Sequence, residues 1–200
     1  MNVFLRCVLA LSVALSSPSA LAEGYLYSPY AHHPVLVTAG WEVAAPALSL
    51  RSDFIDATST AGVGFGMRSE IGTRLSAGAD VTWRRFRQDS ALGDRLRMDA
   101  VSLRGTVHYY FTGTEFQPYA GFGVGGLYRE AILNDGPTQV GVGVCGGPEL
   151  GLLLTVGQGL AIHLALRYEI TTASFNVNGR PDWSVNFPSW FSAQLGFAVY

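Results

Sequence analysis

The chain has 200 residues and no lysine; all thirteen of its basic residues are arginine. Fifteen acids leave a net charge of −2, so the basic footprint of a nucleic-acid binder is missing. Cysteine is nearly absent too. Cys7 lies in the N-terminal apolar stretch, which leaves Cys145 alone and excludes an internal disulfide framework. Charged residues make up only 14% of the chain, yet no segment after the N-terminus approaches the ~20 consecutive apolar residues of a spanning helix. No phosphate loop is present either, because the glycine clusters are followed by no helix-forming stretch.

Glycine is abundant, with 24 residues, and so is strict alternation. In residues 99–111 (DAVSLRGTVHYYF), Val101, Leu103, Gly105, Val107, Tyr109 and Phe111 share one face. Ala100, Ser102, Arg104, Thr106, His108 and Tyr110 share the other. A period of two is the mark of a β-strand. The pattern recurs in residues 35–45, 60–70, 73–86, 116–129, 140–156, 160–172 and 190–200, which gives eight strands. The connections between them alternate long and short, as in bacterial outer-membrane barrels. The expected fold is all-β: an eight-stranded antiparallel transmembrane up-and-down β-barrel.

The N-terminus reads as a secretory signal peptide. Arg6 supplies the charged region, residues 7–15 (CVLALSVAL) the apolar core and Ala20-Leu21-Ala22 the cleavage site. The expected organisation is a cleaved signal over 1–22, a periplasmic lead-in over 23–34 and the barrel over 35–200. Export of such a barrel leads to the outer membrane of a Gram-negative cell.

Alternation leaves open which face meets lipid, and energy decides it. An arginine at the bilayer midplane costs roughly 2–4 kcal/mol. Turned inward, Arg68, Arg84, Arg104 and Arg167 balance Glu70, Asp80, Glu149 and Glu169, with His108 and His163 on the same inward face. Ions of opposite sign in a closed lumen satisfy one another. Glycines on the inward faces of the second and fifth strands leave room for the arginine side chains. Trp83, Tyr109, Phe111, Tyr128, Trp183, Phe187 and Trp190 fall near strand ends or in loops, where aromatic girdles belong.

The phrase FQPYAGFGVGG at 116–126 resembles the F-x-P-Y-x-G-x-G-x-G stretch of small outer-membrane β-barrel proteins, the broad OmpA-, OmpX- and OmpW-like group. GFGMRSE and LSAGADVTW within 41–86 are similar to early strands of such proteins. SAQLGFAVY resembles their closing strand, although Phe191, Leu195, Phe197 and Val199 lie on the opposite parity from Tyr200. The resemblance implies two partners: outer-membrane lipid, and the barrel assembly machinery that reads the C-terminal strand.

Catalytic signals are thin. An acyl-transfer or deacylase barrel needs a nucleophilic serine or an acid–base set at one rim, and no His-x-Ser pair flanks His108 or His163. His32-His33 has no spaced partner for a metal, and Cys145 among glycines reads as a packed small residue. Leu48, Leu50, Phe54 and Ile55 put apolar side chains in the first external connection. The expectation is a non-enzymatic barrel without cofactor or metal, structural or surface-interacting, its lumen filled by ion pairs. A narrow channel for small or apolar solutes, as in OmpW-like relatives, is the alternative, and a lipid-modifying enzyme ranks below it. The sequence names no extracellular ligand.

Overall fold

Alternating faces demand a sheet with two different environments, and closure supplies them. In the computed structural model of the chain, the structure describes residues 35–46, 60–72, 74–89, 95–134, 136–157, 159–172, 175–176, 184–185 and 189–200. The strands are β1 (Val35–Pro46), β2 (Thr60–Gly72), β3 (Leu75–Asp89), β4 (Arg95–Tyr110), β5 (Phe116–Leu133), β6 (Gln139–Gly157), β7 (Leu160–Thr171), β8 (Phe175–Asn176), β9 (Ser184–Val185) and β10 (Ser189–Val199). Eight of them close into a barrel in the order β1-β10-β7-β6-β5-β4-β3-β2, every neighbour antiparallel. The two-residue strands β8 and β9 pair with each other outside the barrel, in the stretch between β7 and β10. Closure leaves no barrel edge with unpaired backbone groups, the condition for a sheet in hydrocarbon.

The strand set matches the alternation, with one systematic difference. The charged stretch 87–97, expected as a loop, is strand at both its ends: β3 runs on to Asp89 and β4 starts at Arg95. Arg85, Arg87 and Asp89 pair in register with Asp99, Arg97 and Arg95. Likewise β5 continues to Leu133, into the expected loop at 130–139. Hydrophilic side chains do not stop a strand whose backbone still has a partner, so β3 to β6 run on past the apolar belt as a hairpin palisade. These strands have 15, 16, 18 and 19 residues, against 11 to 13 for β1, β2, β7 and β10. The β5–β6 turn carries Asn134 at φ 49°, and its side-chain oxygen accepts a hydrogen bond from the Arg95 backbone N–H at 2.6 Å. Asn tolerates that left-handed conformation because its short amide bonds locally.

Outward positions are apolar all round. Val37, Trp41, Val43, Phe65, Leu103, Phe122, Val142, Leu166, Phe191 and Phe197 are exposed on the outer wall, while Thr38, Glu42, Arg68, Arg84, Arg104, Glu149 and Gln194 are buried within. This inverts a water-soluble barrel, whose apolar side chains line the interior. A solvent that welcomes Leu and Val on every strand is lipid hydrocarbon, and a wall of this kind is what a membrane barrel presents.

Tyr109 and Phe111 stand edge to face at the end bearing the short β2–β3 turn, with ring centroids 5.6 Å apart. Trp83 and Tyr128 face outward toward the other end, in one cross-strand row through Val101. Trp190, expected in a girdle, points inward and is fully buried. It shares parity with Ser192 and Gln194, so the alternation that turns Phe191 to lipid turns Trp190 to the lumen. Tyr200 follows the same parity and packs at the opposite end of the interior, against Leu36, Tyr119 and Leu153. Trp183 and Phe187, the signal peptide, His32-His33 and the apolar residues Leu48, Leu50, Phe54 and Ile55 lie outside the described residues.

Candidate functional site

The interior is stratified. At its centre sits a cluster of ions drawn from six strands. Arg104 holds Asp80 in a two-pronged pair, Nε to Oδ1 at 3.0 Å and Nη2 to Oδ2 at 2.9 Å. It also reaches Glu169 at 3.2 Å through Nη1. Arg84 donates from Nε to Glu42 at 2.7 Å and from Nη1 to Glu169 at 3.1 Å. Arg167 donates from Nε to Glu149 at 2.7 Å and lies 3.7 Å from both Glu42 and Asp80. Arg68 donates to the other oxygen of Glu149 at 3.0 Å.

Each of these carboxylates meets two or more cationic side chains, and the planar guanidinium fork suits this sharing. The sheet's own hydrogen bonds join only adjacent strands. The ion pairs reach across the lumen, β1 to β3, β2 to β6, and β3 and β4 to β7.

The histidines join the same cluster. His108 Nε2 stands 3.4 Å from Glu149 Oε1. The Tyr119 hydroxyl donates to that oxygen at 2.7 Å and lies 2.7 Å from His163 Nε2. Tyr119 also stacks on the His163 ring and carries the Arg68 guanidinium 5.0 Å above its own ring. Thr82 and Ser102 bond each other at 2.5 Å on adjacent strands. Both histidines are buried.

Glycine makes this packing possible where side chains cross. A Cβ at Gly62 would fall 3.2 Å from Arg84 Cγ, one at Gly121 would collide with the His108 ring, and one at Gly151 with the Tyr119 ring.

Apolar layers close the cluster at both ends. Toward the β3–β4 hairpin tip, Phe86, Met98, Ala100, Leu127, Ala131, Cys145 and Trp190 form one cluster. Trp190 carries the Arg84 and Arg129 guanidiniums 5.1 and 5.0 Å from its ring. At the other end, Leu36, Tyr119, Leu153, Ala161 and Ala198 form the second cluster, with Tyr110 and Tyr200 against it. Beside this layer is a cavity of ≈ 30 Å³ lined by Leu36, Arg68, Glu70, Ser76, Tyr110 and Tyr200. That space suits a water molecule or two and no larger solute.

Of the ten residues expected to line the lumen, Arg68, Asp80, Arg84, Arg104, His108, Glu149, His163, Arg167 and Glu169 are buried there. Glu70 is half-buried at the edge, lining the cavity. Two lumenal residues escape the charge inventory of the sequence. Glu42 bonds Arg84, and Arg129, fully buried beside Trp190, donates to Thr171 at 2.5 Å. Parity was the available signal. Glu42 shares its phase with Leu36 and Thr38, and Arg129 with Tyr119, Gly121 and Gly123. Cys145 is buried in the apolar layer, its thiol 3.6 Å from the Gly126 carbonyl. Among the described residues, no group of three or more His, Cys, Asp or Glu is disposed to hold a metal ion.

Solved structures share this architecture. The crystal structure of Neisserial surface protein A (NspA) superposes with a TM-score of 0.55 at 15% identity, covering 82% of this chain and 94% of that one. Outer membrane protein OprG from Pseudomonas aeruginosa superposes with a TM-score of 0.51 at 16% identity, again covering 82% and 94%. The chain has the fold of the small outer-membrane β-barrels. No family model matches it, and no curated protein matches it in sequence. Its filling is a central ionic layer between two apolar ones.

Proposed function

We propose that this chain is a non-conducting, non-enzymatic barrel of the Gram-negative outer membrane, exported by its cleaved signal peptide, whose surface role rests on its loops and hairpin tips. The observation that carries this reading is the layered lumen. Ion pairs among Glu42, Arg68, Asp80, Arg84, Arg104, Glu149, Arg167 and Glu169 fill the middle, and the Trp190 and Tyr119 layers lie above and below.

A hydrated ion would have to break several charge-assisted bonds to pass. His108 beside Glu149 and Tyr119, and His163 stacked on Tyr119, are both fully buried, and we read them as packing groups rather than general bases. The long palisade of β3 to β6 and the connections beyond it present the surface available to partners. NspA, by its name a surface protein, supports a role of this kind. The barrel assembly machinery would read β10, whose outward face carries Phe191, Leu195, Phe197 and Val199.

Planar-bilayer recording of the refolded full chain tests the reading. A flat trace at 100 mV with bilayer insertion verified is the expected result; steady unitary steps would replace this reading with a channel.

A further inference from the structure

Tyr119 belongs to two layers at once. Its ring packs with Leu36, Leu153, Ala161 and Ala198 in the apolar cluster at the end bearing the short β2–β3 turn. Its hydroxyl reaches the ion cluster, 2.7 Å from Glu149 Oε1 and 2.7 Å from His163 Nε2. The Arg68 guanidinium lies 5.0 Å over the same ring. Leu36, Leu153 and Arg68, all gathered around Tyr119, also line the small cavity at this end.

Counting protons gives the hydroxyl's two contacts a direction. Glu149 takes Arg68 on Oε1 at 3.0 Å and Arg167 on Oε2 at 2.7 Å, so it is a carboxylate that only accepts. The single proton of the Tyr119 hydroxyl therefore goes to Glu149. The same oxygen can meet His163 Nε2 only as an acceptor, so Nε2 carries a proton. Nδ1 of that ring has no hydrogen-bond partner among the described residues, which suits the bare nitrogen of this tautomer. His108 differs. It meets Tyr119 edge to face, and its Nε2 stands 3.4 Å from Glu149 outside hydrogen-bond geometry.

We propose that His163, Tyr119 and Glu149 form a directed latch, Nε2–H to Oη and Oη–H to Oε1, that seals the ion cluster against water entering from this end. It rests on the filled-lumen reading above and gives His163 a task beyond packing. The latch draws on β7, β5 and β6, so it also ties β5 to β7 across the strand between them. Its last bond is charge-assisted, which makes it the stronger of the two.

Two measurements test the latch. Nitrogen-15 NMR of the folded, histidine-labelled full chain reads the His163 tautomer, with the ring identified by its cross-peak to Tyr119. Protonated Nε2 is the expected result; a ring protonated at Nδ1 alone overturns the proposal. This measurement stands even if the variants below fail to fold. The second uses A165C in a C7A/C145A background. Ala165 is buried between His163 and Arg167 on the inward face of β7. Modification by a charged aqueous methanethiosulfonate should be slow in that chain and equally slow with H163Q, which keeps a donor and loses the aromatic ring. It should be about tenfold faster or more with H163F, which keeps the ring and loses the donor, and with Y119F. Slow modification in H163F, or fast modification in H163Q, would make His163 a packing group and nothing more. Steady unitary conductance of the unaltered chain removes the filled-lumen reading itself; a flat trace with Nε2 unprotonated removes the latch alone.

Discussion

Arg84 shows how much one lumenal side chain carries. It bonds Glu42 on β1 and Glu169 on β7 from β3, and its guanidinium packs on Trp190. Truncation to Ala removes the closest cation from Glu42, leaving Arg167 at 3.7 Å, and a buried charge that has lost its partner costs about 3–5 kcal/mol. R84A should lower barrel stability by that amount in urea titrations in lipid vesicles. R84M/E42L, which removes the orphaned charge as well, should recover a good part of the loss. A cavity-free steric test is available at Gly121, where a Cβ meets the His108 ring and the Val107 carbonyl. G121A should destabilise by about 1–3 kcal/mol. The same change at Gly113, where nothing lies within 4 Å, should be nearly silent.

Strands, taken singly, carry the membrane argument. β7 buries Ala161, His163, Ala165, Arg167, Glu169 and Thr171 and exposes Leu160, Leu164, Leu166 and Ile170. Leu166, mid-strand and 63% exposed, should meet the bilayer centre. L166R should cost about 2–4 kcal/mol in the same vesicle titration. A cost near zero would mean that this face meets water.

Strand type and facing were legible in the sequence because the period of two is fixed by backbone geometry and needs no tertiary information. Strand ends were less so. The charged runs at 87–89, 95–97 and 130–133 look like loops in isolation, and they extend as strands because β3, β4 and β5 continue to offer one another backbone partners. Trp190 and Arg129 show the converse. Residue type alone sends an aromatic near a strand end to the girdle and leaves an arginine at a strand end out of the lumen, whereas parity places both inside.

Over the whole molecule, the pairing pattern inside the barrel was the least legible feature. Charge balance on the inward faces suggested a network, and the balance itself is a property of sequence. Which acid meets which arginine depends on strand order around the closed circumference. Glu42 and Glu149 are 107 positions apart in sequence yet share Arg167. The layering is likewise a product of closure: Phe86 and Met98 come from adjacent strands, but Trp190 reaches them from across the lumen. Lipid chooses the outer wall, and the ions enclosed by that choice tie the strands together across the lumen.

Single-cysteine labelling on β7, in a C7A/C145A background, measures both halves of that statement at once. Bimane at L166C should be quenched by lipids brominated mid-chain, while A165C on the adjacent inward position should stay unreactive toward a charged aqueous thiol reagent until the barrel is unfolded. Rapid aqueous modification of A165C in the folded protein, or an L166C probe blind to brominated chains, would contradict the account.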